Sequence, residues 1–199
     1  MKRLTVLSVV MALMFSMTAC GSSEPTTAAG TSTKTVVSTE APVETTSAET
    51  EAPAEEMTTG QKNALKAAKT YLSLTGFSYE GLIAQLEFEQ YSNEDAVFAA
   101  ENCGADWNEQ ALRSAKSYLD LTAFSHSGLI KQLEFDKYTT EQATYAADNC
   151  GADWNEQAAK SAASYLELMA FSRDSLISQL KFDGFTNEQA VYGVEQNGY

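Results

Sequence analysis

One histidine, three cysteines and three prolines are all that 199 residues contain of those types, and each shortage closes a class of function. A lone imidazole cannot form a His-Glu-x-x-His zinc pattern. With no second histidine, no Ser-His-Asp or Cys-His arrangement can be assembled beyond chance. Glycine-rich phosphate loops are also missing. Basic residues are scarce, 13 against 27 acidic, for a net charge of −14. Nucleic-acid binders gain affinity by neutralising phosphates with lysine and arginine, so nucleic acid is a poor partner here. Long apolar runs are limited to one stretch, Leu4 to Phe15 near the N-terminus. That is too short to span a bilayer, which takes roughly 20 residues. No catalytic residue, metal ligand or cofactor is expected.

The apolar stretch follows Lys2 and Arg3, the arrangement of a secretory signal, and it leads to Thr18, Ala19 and Cys20. Residues 1–19 are therefore predicted to be a lipoprotein signal peptide. Cys20 would carry a diacylglyceryl group and acyl chains such as palmitate, which hold a protein stably at a membrane surface when two or more are present. Residues 20–57 are rich in Thr, Ser, Glu, Ala and Pro, contain no aromatic residue, and carry seven Glu against one Lys. Such a segment cannot bury enough apolar surface to offset the entropy of ordering. It is predicted to be a disordered tether.

What is abundant beyond the tether is repetition. "AAKTYLSLTGFS", "SAKSYLDLTAFS" and "SAASYLELMAFS" begin 47 residues apart, at Ala67, Ser114 and Ser161. "GLIAQLEF", "GLIKQLEF" and "SLISQLKF" keep the same register. Three tandem repeats follow, over 58–105, 106–152 and 153–199, each predicted to contain three helices. The first helix carries an apolar stripe at Ala64, Leu65, Ala68, Tyr71, Leu72 and Leu74. The second starts after Ser78, Ser125 or Ser172, a favoured N-cap type, and buries Leu82, Ile83 and Leu86 or their counterparts. The third starts after Ser92, Thr139 or Thr186, with Asp95, Gln142 or Gln189 three residues on in capping-box spacing. Small residues at Ala96, Ala99 and Ala100 suit close helix packing. Gly104, Gly151 and Gly198 would end the units in a left-handed C′ conformation. No segment alternates as a strand would. The predicted fold is all-α, of stacked helix-turn-helix repeats.

"NCGADWNEQA" occurs word for word at 102–111 and again at 149–158. Its position answers what it does. Each copy closes one repeat and opens the next, with Asp106 and Asp153 as N-caps and Glu109 and Glu156 three residues on. Trp107 and Trp154 would fill the seam between stacked units. Three repeats have two junctions, and there are two tryptophans. A motif confined to junctions is a joint rather than an active site. Cys103 and Cys150 occupy equivalent positions in successive repeats. A disulfide would need their Cα atoms within roughly 7 Å, met only if the third helices ended side by side; small, mostly buried free thiols suit the pattern better. His126 has Tyr79 and Arg173 as counterparts, so the fold should not need it, and a solvated helix residue is expected.

The acidic residues form two rows. Glu94, Glu141 and Glu188 recur near the start of each third helix, and Glu101, Asp148 and Glu195 seven residues later, two turns along the same face. Stacked units would line both rows up as one acidic stripe, which is either a solvated face that keeps the protein soluble, the first row favoured by the helix N-termini, or a docking surface for a basic partner. Acids near a helix C-terminus oppose its dipole, so the second row points more strongly to a docking stripe for a basic partner.

With these residues laid out, the chain resembles the Ltp family of host-cell-surface-exposed lipoproteins. The resemblance runs from about Gln61 to Tyr199. It rests on "A-K-x-Y-L", on "F-S" followed by "G-L-I-x-Q-L", on "Y-[ST]-x-E-x-A" and on the "D-W" junctions, beside the lipobox and tether. Ser175 in place of the "GLI" glycine, the lysine-free "SAASYL" and the two junction cysteines depart from the pattern. The resemblance implies tandem helix-turn-helix repeats displayed outside the cell membrane, that of a Gram-positive bacterium, through the Cys20 lipid. It also implies superinfection exclusion, in which injection of phage DNA is blocked through contact with a tail component such as the tape-measure protein. A cell-surface interaction or adhesion module unrelated to phage is the alternative.

Overall fold

Nine α-helices and no strand are found among the described residues, which are 56–199 of a computed structural model. The signal peptide, Cys20 and nearly all of the tether lie outside the described residues. The first repeat holds α1 (Thr59–Leu74), α2 (Tyr79–Phe88) and α3 (Asn93–Asn102). The second holds α4 (Trp107–Leu121), α5 (His126–Phe135) and α6 (Thr140–Asn149), and the third α7 (Trp154–Leu168), α8 (Arg173–Phe182) and α9 (Asn187–Glu195). No described helix is long and apolar enough to cross a membrane.

The helices start where side chains can satisfy orphan amides. Ser78, Ser125 and Ser172 cap α2, α5 and α8 by accepting from the amide three residues on. Thr139 and Thr186 form complete capping boxes with Gln142 and Gln189. Asp106 and Asp153 each accept two amides, from Asn108 and Glu109 and from Asn155 and Glu156. Their boxes are half-formed: neither the Asp106 nor the Asp153 backbone amide donates back to the Glu109 or Glu156 side chain. α1 differs. Thr58 caps it with Gln61 in a full box, one residue before the position of the aspartates.

The short middle helices end alike. In α2 the Tyr91 amide donates to Leu86 and the Gln90 amide to Glu87, which is a Schellman turn. The same pair of bonds closes α5 through Tyr138 and Lys137, and α8 through Phe185 and Gly184. The turn demands positive φ, found at 71° for Gln90, 70° for Lys137 and 93° for Gly184. Only the third repeat meets that demand with glycine.

Each repeat has its own core. In the first, Ala64 and Ala68 of α1, Leu82 and Leu86 of α2, and Ala96, Ala99 and Ala100 of α3 are all buried. Alanines on α1 and α3 let the two backbones approach closely. The leucines of α2 fill the remaining wedge. Equivalent sets bury in the second and third repeats. One residue leaves the predicted stripe: Leu74 is 65% exposed, as are its counterparts Leu121 and Leu168 at 78%. It lies two residues past Leu72, about 200° around the helix, and so faces away from the core.

Small polar contacts join these cores. The Ser78 hydroxyl, buried at the start of α2, donates to the Asp136 carbonyl just past the end of α5, at 2.5 Å. Ser125 donates likewise to Asp183, just past α8, also at 2.5 Å. The three middle helices therefore abut head to tail, N-terminus of one against C-terminus of the next, an alignment their dipoles favour. Arg113 of α4 donates to the Leu72 carbonyl of α1. Trp107 packs edge-on against Tyr79 with ring centroids 5.5 Å apart, and Trp154 against His126 at 5.1 Å. Each tryptophan thus seals its junction by resting on the first residue of the preceding repeat's middle helix.

Candidate functional site

Position 79/126/173 turns out to organise the end of each repeat. It opens the middle helix and reaches across to the acid of the second row, 22 residues on. His126 Nε2 lies 2.7 Å from Asp148 Oδ1, and Arg173 donates to Glu195 at 3.2 Å. Tyr79 faces Glu101, and its phenol pKa is raised, first by burial and then by that carboxylate. His126 is accordingly not the free-standing residue expected from its sequence variability. It is half-buried, pinned between Asp148 and the Trp154 ring. Three different residue types occupy the position because each can hydrogen-bond a carboxylate; a signal was present in the fixed 22-residue offset to an acid.

All six acids of the two rows are exposed. Glu101, Asp148 and Glu195 spend part of their hydrogen-bonding capacity on these clasps within the repeat. Glu94, Glu141 and Glu188 sit in the first turns of α3, α6 and α9. Glu188 is held below the usual carboxylate range by its own backbone amide and the Thr186 hydroxyl. Helix N-terminal amides explain this placement.

Cys103 and Cys150 are free and half-buried. Each thiol donates to the carbonyl three residues back, Cys103 to Ala100 and Cys150 to Ala147, both at 3.2 Å. Asn197 takes that place in the third repeat and donates instead to Ala159 of α7. Among the described residues no group of three His, Cys, Asp or Glu side chains is placed to hold a metal ion. Junction residues Gln110 and Gln157 keep a buried amide oxygen without a partner.

A feature of the surface escaped the sequence. Phe88, Phe135 and Phe182, the last residues of the three middle helices, are 69%, 60% and 85% exposed. They sit two residues past the buried Leu86, Leu133 and Leu180, on the opposite side of the helix. Leu74, Leu121 and Leu168 end the three first helices in the same exposed way. One tie brings the two kinds together. Tyr71, one turn before Leu74, donates to Glu89, the residue after Phe88. Tyr118 to Asp136 and Tyr165 to Asp183 repeat it at 2.5 and 2.8 Å. Large apolar side chains are thus left in water three times over, in one register.

Comparison with known proteins follows the same three units. A family model described as host cell surface-exposed lipoprotein, Ltp, matches residues 59–103, 106–150 and 153–196. A solved structure, Ltp, a superinfection exclusion protein from the Streptococcus thermophilus temperate phage TP-J34, is 40% identical over 47% of this chain and 98% of its own, with a TM-score of 0.46. No curated protein matches the sequence.

Proposed function

Because the chain belongs to the host cell surface-exposed lipoprotein family, we propose that it is a non-catalytic binding module held outside the cell membrane by lipid on Cys20. On this proposal it acts in superinfection exclusion, engaging a basic segment of an incoming phage tail, such as its tape-measure protein, and so stopping DNA injection. The observation that carries the reading is that each of the three repeats leaves acids of both rows and a large Leu and Phe exposed, on a fold whose polar clusters are otherwise taken up by caps and clasps. From Thr58 onward, 20 acidic and 10 basic residues leave a net charge of −10. Such a surface favours fast, salt-sensitive association with a basic partner. Residues 20–57 would act as the spacer: a flexible chain of that length spans roughly 30–35 Å, enough to lift the repeats clear of the lipid headgroups.

The test is a phage challenge of a host strain expressing the full chain beside Cys20→Ala. Plating efficiency should fall for the first and recover for the second. Equal protection by both would remove the anchor from the proposal, and no protection against any phage in a broad panel would remove exclusion.

A further inference from the structure

We propose that the exposed Phe88, Phe135 and Phe182, together with the exposed Leu74, Leu121 and Leu168, form a three-step ladder that binds one elongated, basic amphipathic helix. This rests on the binding-module reading and specifies the partner's chemistry. The head-to-tail contacts at Ser78 and Ser125 seat the ends of α5 and α8, which carry Phe135 and Phe182, against the starts of α2 and α5. Each middle helix has ten residues, a rise of about 15 Å. With the capping residues and the joint added at each junction, the outer steps lie more than two such rises apart, so a partner helix of more than about 20 residues is needed to reach all three.

Charge selects among possible occupants. Glu87 and Glu89 bracket Phe88, Glu134 and Asp136 bracket Phe135, and Asp120 and Glu167 precede Leu121 and Leu168. Lys137 and Lys181 are the only basic residues within two positions of any of the six. A second copy of this chain would bring the same net −10 to the contact, and an anionic lipid surface would also be repelled. A helix with one apolar face and flanking lysines satisfies both requirements: the apolar face covers Phe and Leu, and the lysines meet the exposed Glu87, Glu89, Asp120 and Glu167. Three weak steps engaged by one ligand bind far more tightly than one, since the second and third contacts are intramolecular.

The experiment titrates the full mature chain into a fluorescent 24-residue peptide of Leu and Lys with every Leu on one helical face. A second peptide has the same composition in scrambled order. The patterned peptide should bind, and more weakly as salt rises. Phe88→Gln, Phe135→Gln and Phe182→Gln each keep the net charge and should weaken binding about 3-fold singly and more than 10-fold together. Their thermal melts should match wild type, because the three side chains are already in water, and that control separates lost contact from lost fold. Unchanged affinity in the triple variant, or equal binding of the scrambled peptide, overturns the ladder in favour of plain charge attraction. Sedimentation that finds a wild-type dimer broken by the triple variant reassigns the surface to a second copy. Flotation of the wild type, but not the triple variant, with phosphatidylglycerol vesicles reassigns it to lipid. Peptide binding with no phage protection would sink exclusion and leave the ladder standing.

Discussion

Ser125 and Ser172 cap equivalent helices, yet only Ser125 has a following repeat to bond. The pair therefore isolates what a junction is worth. Ser125 is 2% exposed; its oxygen accepts from the Gly128 amide at 3.0 Å and donates to Asp183 at 2.5 Å. Ser172 is exposed and accepts only from the Ser175 amide, at 3.3 Å. Replacing an N-cap serine by alanine costs about 1 kcal/mol. At Ser125 the change also strands a carbonyl at the seam, a further cost of about 1 kcal/mol. Ser172→Ala should thus destabilise by about 1 kcal/mol and Ser125→Ala by about 2 kcal/mol. In a repeat protein, stability is a sum of repeat and interface contributions, so weakening one interface should also broaden the transition. Urea unfolding of the full mature chain would be followed by far-UV circular dichroism and by tryptophan emission. Trp154 rests on His126 and so reports that junction. Equal losses at the two serines, with unchanged transition width, would refute the head-to-tail joint.

Other consequences follow from the same geometry. Lys137 holds φ at 70°, where Gly184 stands in the third repeat; Lys137→Gly should raise stability by about 1 kcal/mol, and Gln90→Gly likewise, measured by urea midpoint. Asp136 is held above the usual carboxylate range, by burial first, although bonds from Tyr118 and Gln132 pull the other way. Its ionised form is therefore disfavoured in the folded state, so its cost is present at neutral pH and relieved as pH falls through the raised value. Asp136→Asn, which keeps an acceptor for Tyr118, should match or exceed wild-type stability at pH 7 and lose that advantage below about pH 4. A thiol reagent under native conditions should titrate both Cys103 and Cys150 without prior reduction, since neither is bridged; modification only after reduction would contradict their separation.

Much of this fold was legible because each signal was written three times. Hydroxyl caps before the middle and third helices, the Thr-x-x-Gln boxes and the junction tryptophans all lie where their local chemistry puts them. Errors came where a one-dimensional pattern had to stand for a helical surface. Leu74 joins the apolar stripe by its three-residue spacing from Tyr71, although its two-residue step from Leu72 turns it to the far side of the helix. Phe88, Phe135 and Phe182 passed unnoticed for the same reason. The clasps between His126 and Asp148 and between Arg173 and Glu195 join residues 22 apart on different helices, a partnership that only the packing angle of those helices decides. Lys137 in a left-handed turn was hidden because its residue type gives no hint of positive φ, while Gly184, at the equivalent place, did offer one.

On the proposed function, the protein stops phage DNA from entering rather than phage from attaching. This is tested most directly by counting both in the same cells. Host cells with and without the full chain would be exposed to a sensitive phage, and bound particles and intracellular phage DNA quantified over the first minutes. Undiminished adsorption with phage DNA absent from the cytoplasm is the predicted result. Normal DNA entry in cells that display the protein would contradict the account.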